Sequence, residues 1–269
     1  MNIWRDPGWW RVATKGRYEL KYTIPEAFVR DVVRFIRPYC DPDPFLYGQP
    51  EYTITSLYFD TQDLLFYHQK RVHQCNRIKL RIRTYGQRAE GPVFLELKRR
   101  FRDVMVKTRA RVPRESFAQI ACGPGPLPDL GLRGGEQAVV EDFRSHVNNL
   151  QLRPVISIRY DREPHVGRTD PGVRVTFDRR LRYASTNEVV IPQEDRDYYP
   201  FDYPSTFFAP ESRVVLEIKF NEYCPVWVQD LVRHLDIARE SFSKYCSGLD
   251  QIQNRHWTYN PRRLVSLMG

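Results

Sequence analysis

No apolar run in this 269-residue chain approaches the roughly 18 residues that a membrane helix requires, so no membrane span is expected. The opening residues, Met1-Asn2-Ile3-Trp4-Arg5-Asp6, lack a basic stretch followed by an apolar one, so a secretory signal is not expected either. Cysteine is scarce. Cys40, Cys75, Cys122, Cys224 and Cys246 are odd in number and scattered, and none sits in a C-x-x-C pair. That argues against a zinc ribbon or a disulfide framework and favours a reducing, cytoplasmic setting. Signatures of P-loop, Rossmann and RNA-recognition folds are missing. The six histidines (His68, His73, His146, His165, His234 and His256) form no cluster with metal-ligand spacing.

What is present is a core-forming and basic composition. Hydrophobic residues make up 41% and charged residues 28% of the chain, which excludes a disordered polymer. The 42 basic against 33 acidic residues leave a net charge of +9. An anionic partner is implied, with nucleic acid, phosphate and a membrane surface all open at this level.

Period-two alternation predicts strands over 17–24, 52–60, 78–85, 93–99, 104–112, 155–163, 173–179 and 214–220. Helical spacing follows Pro25 (Phe28, Val32, Val33, Ile36) and Pro225 (Val228, Leu231, Val232, Leu235). Further helices are predicted over 64–69, 136–150 and 243–253. Segments 40–50, 123–135 and 193–211 read as loops. The simplest organisation is an arm over 1–14, one α+β domain over 15–255 and a tail over 256–269.

Alternation sorts the side chains by face. Lys79, Arg81 and Arg83 oppose Ile78, Leu80 and Ile82. Glu19 and Lys21 oppose Leu20 and Tyr22. Glu96 and Lys98 oppose Leu95 and Leu97. Lys107, Arg109 and Arg111 oppose Val106, Ala110 and Val112. Arg159 opposes Ile158 and Tyr160. Arg174, Thr176 and Asp178 oppose Val173, Val175 and Phe177, and Glu217 and Lys219 oppose Leu216 and Ile218. One such strand is an ordinary amphipathic strand. About seven predict a closed antiparallel barrel, apolar faces outward under helices and charged faces lining a lumen. Cations crowded there repel unless anions sit among them. Built-in carboxylates offset part of this, and a polyanionic ligand would offset the rest. Glu-x-Lys recurs in Glu19-Leu20-Lys21, Glu96-Leu97-Lys98 and Glu217-Ile218-Lys219. Each pair reads either as a local ion pair or as a phosphate-binding lysine beside a carboxylate for Mg²⁺ or Mn²⁺.

The combination of Arg17-Tyr18-Glu19-Leu20-Lys21-Tyr22, Ser56-Leu57-Tyr58-Phe59-Asp60, Lys79-Leu80-Arg81-Ile82-Arg83, Leu95-Glu96-Leu97-Lys98, Arg174-Val175-Thr176-Phe177-Asp178, Leu216-Glu217-Ile218-Lys219-Phe220 and Ser243-Lys244-Tyr245 resembles the VTC domain. That is the catalytic domain of polyphosphate polymerases, within the triphosphate tunnel metalloenzyme (CYTH-like) superfamily. The resemblance covers roughly residues 15 to 250. It implies an eight-stranded antiparallel tunnel and transfer of the ATP γ-phosphoryl group to inorganic polyphosphate. It also implies phosphate contacts from Lys21, Arg81, Arg83, Lys98, Lys107, Arg159 and Lys219, with Arg174 and Lys79 beside them. Glu217 would be the main ligand of Mn²⁺ or Mg²⁺, with Glu96 and Glu19 as alternatives. Lys244 would bind phosphate near a tunnel mouth.

The expected partners are therefore ATP and polyphosphate, without nucleic acid. Hydrolysis by a triphosphatase or polyphosphatase remains open at this level, with Glu19, Glu96 or Asp178 positioning water. So does a non-catalytic module that binds polyphosphate or an inositol polyphosphate. The aromatics Tyr198, Tyr199, Phe201, Tyr203, Phe207 and Phe208 read as a loop packed on the barrel end or as a cover over adenine.

Overall fold

The computed structural model describes residues 17–258, apart from 87–90, 103, 124, 128–129, 133, 204–211, 237–238 and 240–241. The arm over 1–14, Phe207 and Phe208, and the tail from 259 onward lie outside the described residues. The elements in chain order are β1 (Arg17–Pro25), α1 (Glu26–Ile36), β2 (Cys40–Pro42), β3 (Tyr52–Asp60), α2 (Leu65–Arg71), β4 (Arg77–Tyr85), β5 (Val93–Phe101), β6 (Val104–Val112), α3 (Phe117–Cys122), α4 (Gly134–Asn149), β7 (Arg153–Gly167), β8 (Arg174–Ser185), β9 (Tyr199–Pro200), β10 (Arg213–Asn221), α5 (Val226–Leu235) and α6 (Lys244–Thr258). Pro25 and Pro225, both at φ −56°, lead into α1 and α5. Proline's ring presets the helical φ where no N–H is needed. No helix among the described residues is long and apolar enough to cross a membrane.

The ladders are antiparallel and run in the order β1-β10-β8-β7-β3-β4-β5-β6, with β2 added to β7 and β9 to β8. This is a correction to the closed barrel that the alternation predicts. The sheet is open, a single ten-stranded sheet with β1 and β6 at the ends of its main path. Alternation assigns faces but says nothing about closure. Closure requires end strands matched in tilt and stagger so that their backbone groups pair. Here the ends are linked through side chains instead, Lys98 of β5 reaching Glu19 of β1 at 3.6 Å. The sheet thus has one concave, charged face and one convex, apolar face.

Two packs of helices cover the convex face. Leu57, Phe59, Leu80, Ile82, Leu95 and Leu97 pack against Ile120 of α3 and Val140, Phe143 and Val147 of α4. Tyr22, Ile24, Val175, Phe177, Leu216 and Ile218 pack against Val29, Val32 and Ile36 of α1 and Val228 and Leu231 of α5. Truncating one large residue here, such as Phe143 to Ala, costs about 3–5 kcal/mol.

Helix α6 corrects a second part of the expectation, that all helices pack outside. It lies on the concave side, with Tyr245, Cys246 and Leu249 in one cluster with Ile54, Ile156, Ile158, Tyr160, Leu181 and Val215. Gly248 permits the approach: a Cβ there would lie 2.6 Å from Ile158 Cδ1 and 2.8 Å from Ile156 Cδ1. A bulge at Arg180 (φ 49°) shifts the register of β8 against β7 between Arg159 and Asp161. It turns Leu181 and Tyr183 onto the face that Thr176 and Asp178 occupy upstream.

Candidate functional site

The remainder of the concave face is built from charged positions of consecutive strands. Register aligns Lys79, Lys98 and Lys107 in one row across β4, β5 and β6, and Arg81, Glu96 and Arg109 in the next. On the other side it aligns Lys21, Glu217 and Thr176 across β1, β10 and β8, and Glu19, Lys219 and Arg174 beside them. Directly opposed residues share a face, so these rows form one surface.

Two knots of charge hold it together. Glu96, 1% exposed, accepts from Arg81 Nε (2.8 Å) and Lys107 Nζ (2.8 Å), with Arg109 Nε at 3.6 Å. Burial raises the Glu96 carboxyl, but Lys107, Arg81, Arg83 and Arg109 outweigh it and hold it well below the usual carboxylate range. In the second knot, Glu217 meets Lys219 at 2.8 Å, Lys244 at 3.3 Å, Lys21 at 3.4 Å and Arg162 at 3.5 Å. Asp178 accepts from Arg162 Nε at 2.6 Å and lies 2.6 Å from Lys244 Nζ. Both carboxyls are held low by these cations against the opposing effect of burial. Glu19 links the second knot to β5, 2.8 Å from Lys21 and 3.6 Å from Lys98.

Two cations on β4 stand outside these knots. Lys79 donates to Ser243 Oγ at 3.1 Å and has no acidic partner among the described residues. Burial pushes its ammonium down to about 7, and Lys21 and Lys98 add repulsion. Arg83, 7% exposed, donates to Ser56 Oγ (3.1 Å) and Tyr160 Oη (3.4 Å), again with no acid in ion-pair range among the described residues.

Lys244 arrives from α6, whose N-terminal turn is pinned from below. The Asp60 carboxylate accepts the N–H groups of Thr61, Phe66 and Tyr67 and the hydroxyl of Tyr245. One buried acid thereby fixes β3, α2 and α6 together. The Tyr160 ring lies under Lys244 Nζ, 4.8 Å from ring centroid to nitrogen.

The concave face brings together Lys21, Lys79, Arg81, Arg83, Glu96, Lys98, Lys107, Arg174, Glu217, Lys219, Lys244 and Glu19. Arg159 is a correction. It opposes Thr55, which opposes Thr84, so it points to the convex side. There it donates to Thr55 Oγ1 (3.1 Å), Asp195 (2.9 Å) and Pro192 O (3.1 Å), over the Tyr198 ring. On β7 the usual sense of the alternation is inverted. Ile156, Ile158 and Tyr160 face the concave side because α6 brings apolar core to them there. Arg162, three residues on and of opposite parity, takes the inward position that the sequence reading gave to Arg159. Its place two residues after Tyr160 is the signal that could have found it.

Tyr198 is buried, bonded to Ser157 Oγ (2.8 Å) and Pro192 O (3.1 Å), and Phe201 packs beside Tyr183. Of the described loop aromatics, Tyr198 and Phe201 are therefore packing, while Tyr199 and Tyr203 are half-exposed. His165 pairs with Glu163 and His146 with Asp142. All five cysteines are free.

No group of three His, Cys, Asp or Glu side chains converges as a metal site among the described residues. Asp178 and Glu217 are oxygen donors clasped by the same Lys244 and Arg162. That donor set fits a hard divalent cation in the mode that uses one or two carboxylates and completes its shell with phosphate oxygens.

Residues 16–253 match the model of the family described as the VTC domain. Two solved structures show partial likeness. One is a candidate adenylate cyclase from Bacillus halodurans, 12% identical, covering 85% of this chain and 94% of that one, with a TM-score of 0.47. The other is a candidate adenylate cyclase from Vibrio parahaemolyticus, 11% identical, covering 85% and 95%, with a TM-score of 0.42. No curated protein matches the chain.

Proposed function

Since the chain belongs to the VTC domain family, we propose that it transfers the γ-phosphoryl group of ATP to the end of an inorganic polyphosphate chain along the concave face. The phosphate chain lies across β4. Arg81 and Arg83 hold equatorial oxygens with planar forks, while Lys79, Lys98, Lys107, Lys21 and Lys219 neutralise neighbouring phosphates. Arg162 and Lys244 hold Asp178 and Glu217 in place, and Arg174 lies in the neighbouring row with Lys219 and Glu19.

A terminal phosphate oxygen of the acceptor attacks the γ-phosphorus. An O–P bond forms as the bond from the γ-phosphorus to the bridging oxygen breaks, and ADP leaves with that electron pair. The transition state is loose, so positioning and charge neutralisation supply most of the catalysis. Glu217 with Asp178 would hold Mn²⁺ or Mg²⁺, which would supply further charge neutralisation.

The observation that carries the reading is the state of the acids. Glu19, Glu96, Asp178 and Glu217 are each engaged by at least two cations, and all are held below their ordinary range. Their oxygens are already committed to these cations, which favours an acceptor that is already anionic over a water that one of them would have to position.

The test is to incubate the protein with ATP and Mn²⁺ and resolve the products on a gel. Long chains with ADP support the polymerase. Free phosphate alone would replace it with a triphosphatase. Binding without turnover would leave a polyphosphate-binding module.

A further inference from the structure

Thr176 sits within the second knot yet takes no part in it. It is 4% exposed, and its Oγ1 has no hydrogen-bond partner among the described residues. Its strand neighbours on the same face are Arg174 and Asp178. Glu217 lies directly opposite on β10, and on the other flank it pairs with Pro164 of β7. Directly opposed Cβ atoms lie about 4.5–5.5 Å apart, so the hydroxyl stands among charged groups. The acceptors closest in register are already taken: Glu217 by Lys219, Lys244, Lys21 and Arg162, and Asp178 by Arg162 and Lys244.

A buried hydroxyl without a partner lowers stability. Valine has the same shape without that cost, so the hydroxyl has no structural use here. Thr108 offers a contrast. Its Oγ1 is also unpartnered, but it pairs with Leu97 on the apolar side, away from any cluster of charge.

We infer that Thr176 is a ligand-binding residue whose hydroxyl donates to an oxygen of a bound phosphate, beside its register neighbours Arg174, Lys219 and Glu217. This rests on the reading that the concave face binds a phosphate chain, and it assigns one oxygen of that chain a neutral donor among the cations. A hydroxyl turns to meet its acceptor, so it can orient a phosphoryl group that lysines only attract.

The test compares wild type with Thr176→Val and Thr176→Ser. Tripolyphosphate binding is measured by calorimetry without metal, and thermal unfolding without ligand. Thr176→Val should unfold at the wild-type temperature or above it and bind tripolyphosphate about tenfold more weakly. Thr176→Ser should bind within about twofold of wild type, because the donor is restored. Equal binding by wild type and Thr176→Val would overturn the inference while leaving the phosphate-binding face intact. So would a Thr176→Val that unfolds several degrees early and is rescued by Thr176→Ser, since the hydroxyl would then be structural. Failure of the wild type to bind tripolyphosphate would overturn the phosphate-binding reading and this inference with it.

Discussion

Lys244 Nζ lies 2.6 Å from Asp178 Oδ2, so the first residue of α6 is bound to the middle of β8 across the concave face. The lysine side chain is 9% exposed, and the acid is fully buried. Removing one member of a buried pair leaves an uncompensated charge, which costs about 3–5 kcal/mol. Asp178→Asn should therefore lose about that much stability in urea unfolding, because Arg162 and Lys244 would then share Glu217 alone. Lys244→Met should lose less, since Asp178 keeps both of its bonds from Arg162. Equal losses would show that Lys244 matters to the fold as much as the acid does.

Arg159 and Arg162 separate fold from ligand. Arg159→Ala removes the bonds that hold residues 192–195 over the convex face. It should lower the unfolding temperature and leave tripolyphosphate affinity within about twofold. Arg162→Ala takes a cation from Asp178 and Glu217, so the charged face turns more negative and should bind tripolyphosphate at least tenfold more weakly. The reverse pattern would return Arg159 to the binding surface.

Lys79 makes stability depend on pH. Its ammonium falls from an ordinary 10.5 to about 7 in the folded protein, first through burial. Between those values the unfolded chain binds the extra proton, so stability should rise with pH from about 7 to 10.5. Below 7 the full penalty of a buried charge applies. The slope from this group is at most about 1.4 kcal/mol per pH unit. Lys79→Met should flatten it in unfolding experiments across that window. A phosphate beside Lys79 should restore its proton, so tripolyphosphate binding at pH 8 should take up protons in wild type and fewer in Lys79→Met. Calorimetry in buffers of different ionisation enthalpy reads this directly.

Glu217→Gln keeps the size of the side chain and removes its charge. Four cations then lose their shared partner. Metal-free tripolyphosphate affinity should rise, because the phosphate no longer competes with a built-in anion. Stability in its absence should fall, and Mn²⁺-dependent turnover should disappear. Retained turnover would move the metal role to Asp178, Glu96 or Glu19.

Much of this was legible in the chain. On β4, β5, β6, β8 and β10 the period-two pattern matched the faces, because each of these strands packs its apolar side under an outer helix. Glu-x-Lys marked positions where acid and cation lie side by side, as Glu217 and Lys219 do at 2.8 Å. The pattern failed on β7, where the apolar side turns toward α6 and Arg159 faces away from the charged surface. It was silent about Lys79, whose lack of an acid partner among the described residues depends on what neighbouring strands place around it.

The sequence by itself determined which residues share a face, since alternation along a strand is a local consequence of backbone geometry. It also determined the excess of cations and the breaks at Pro25 and Pro225. Tertiary structure alone decided which face of β7 is inside, that the sheet stays open, and which cations each acid neutralises. Those depend on a helix packed far along the chain, on the match between two end strands, and on distances between residues up to 221 positions apart, as between Lys21 and Phe242.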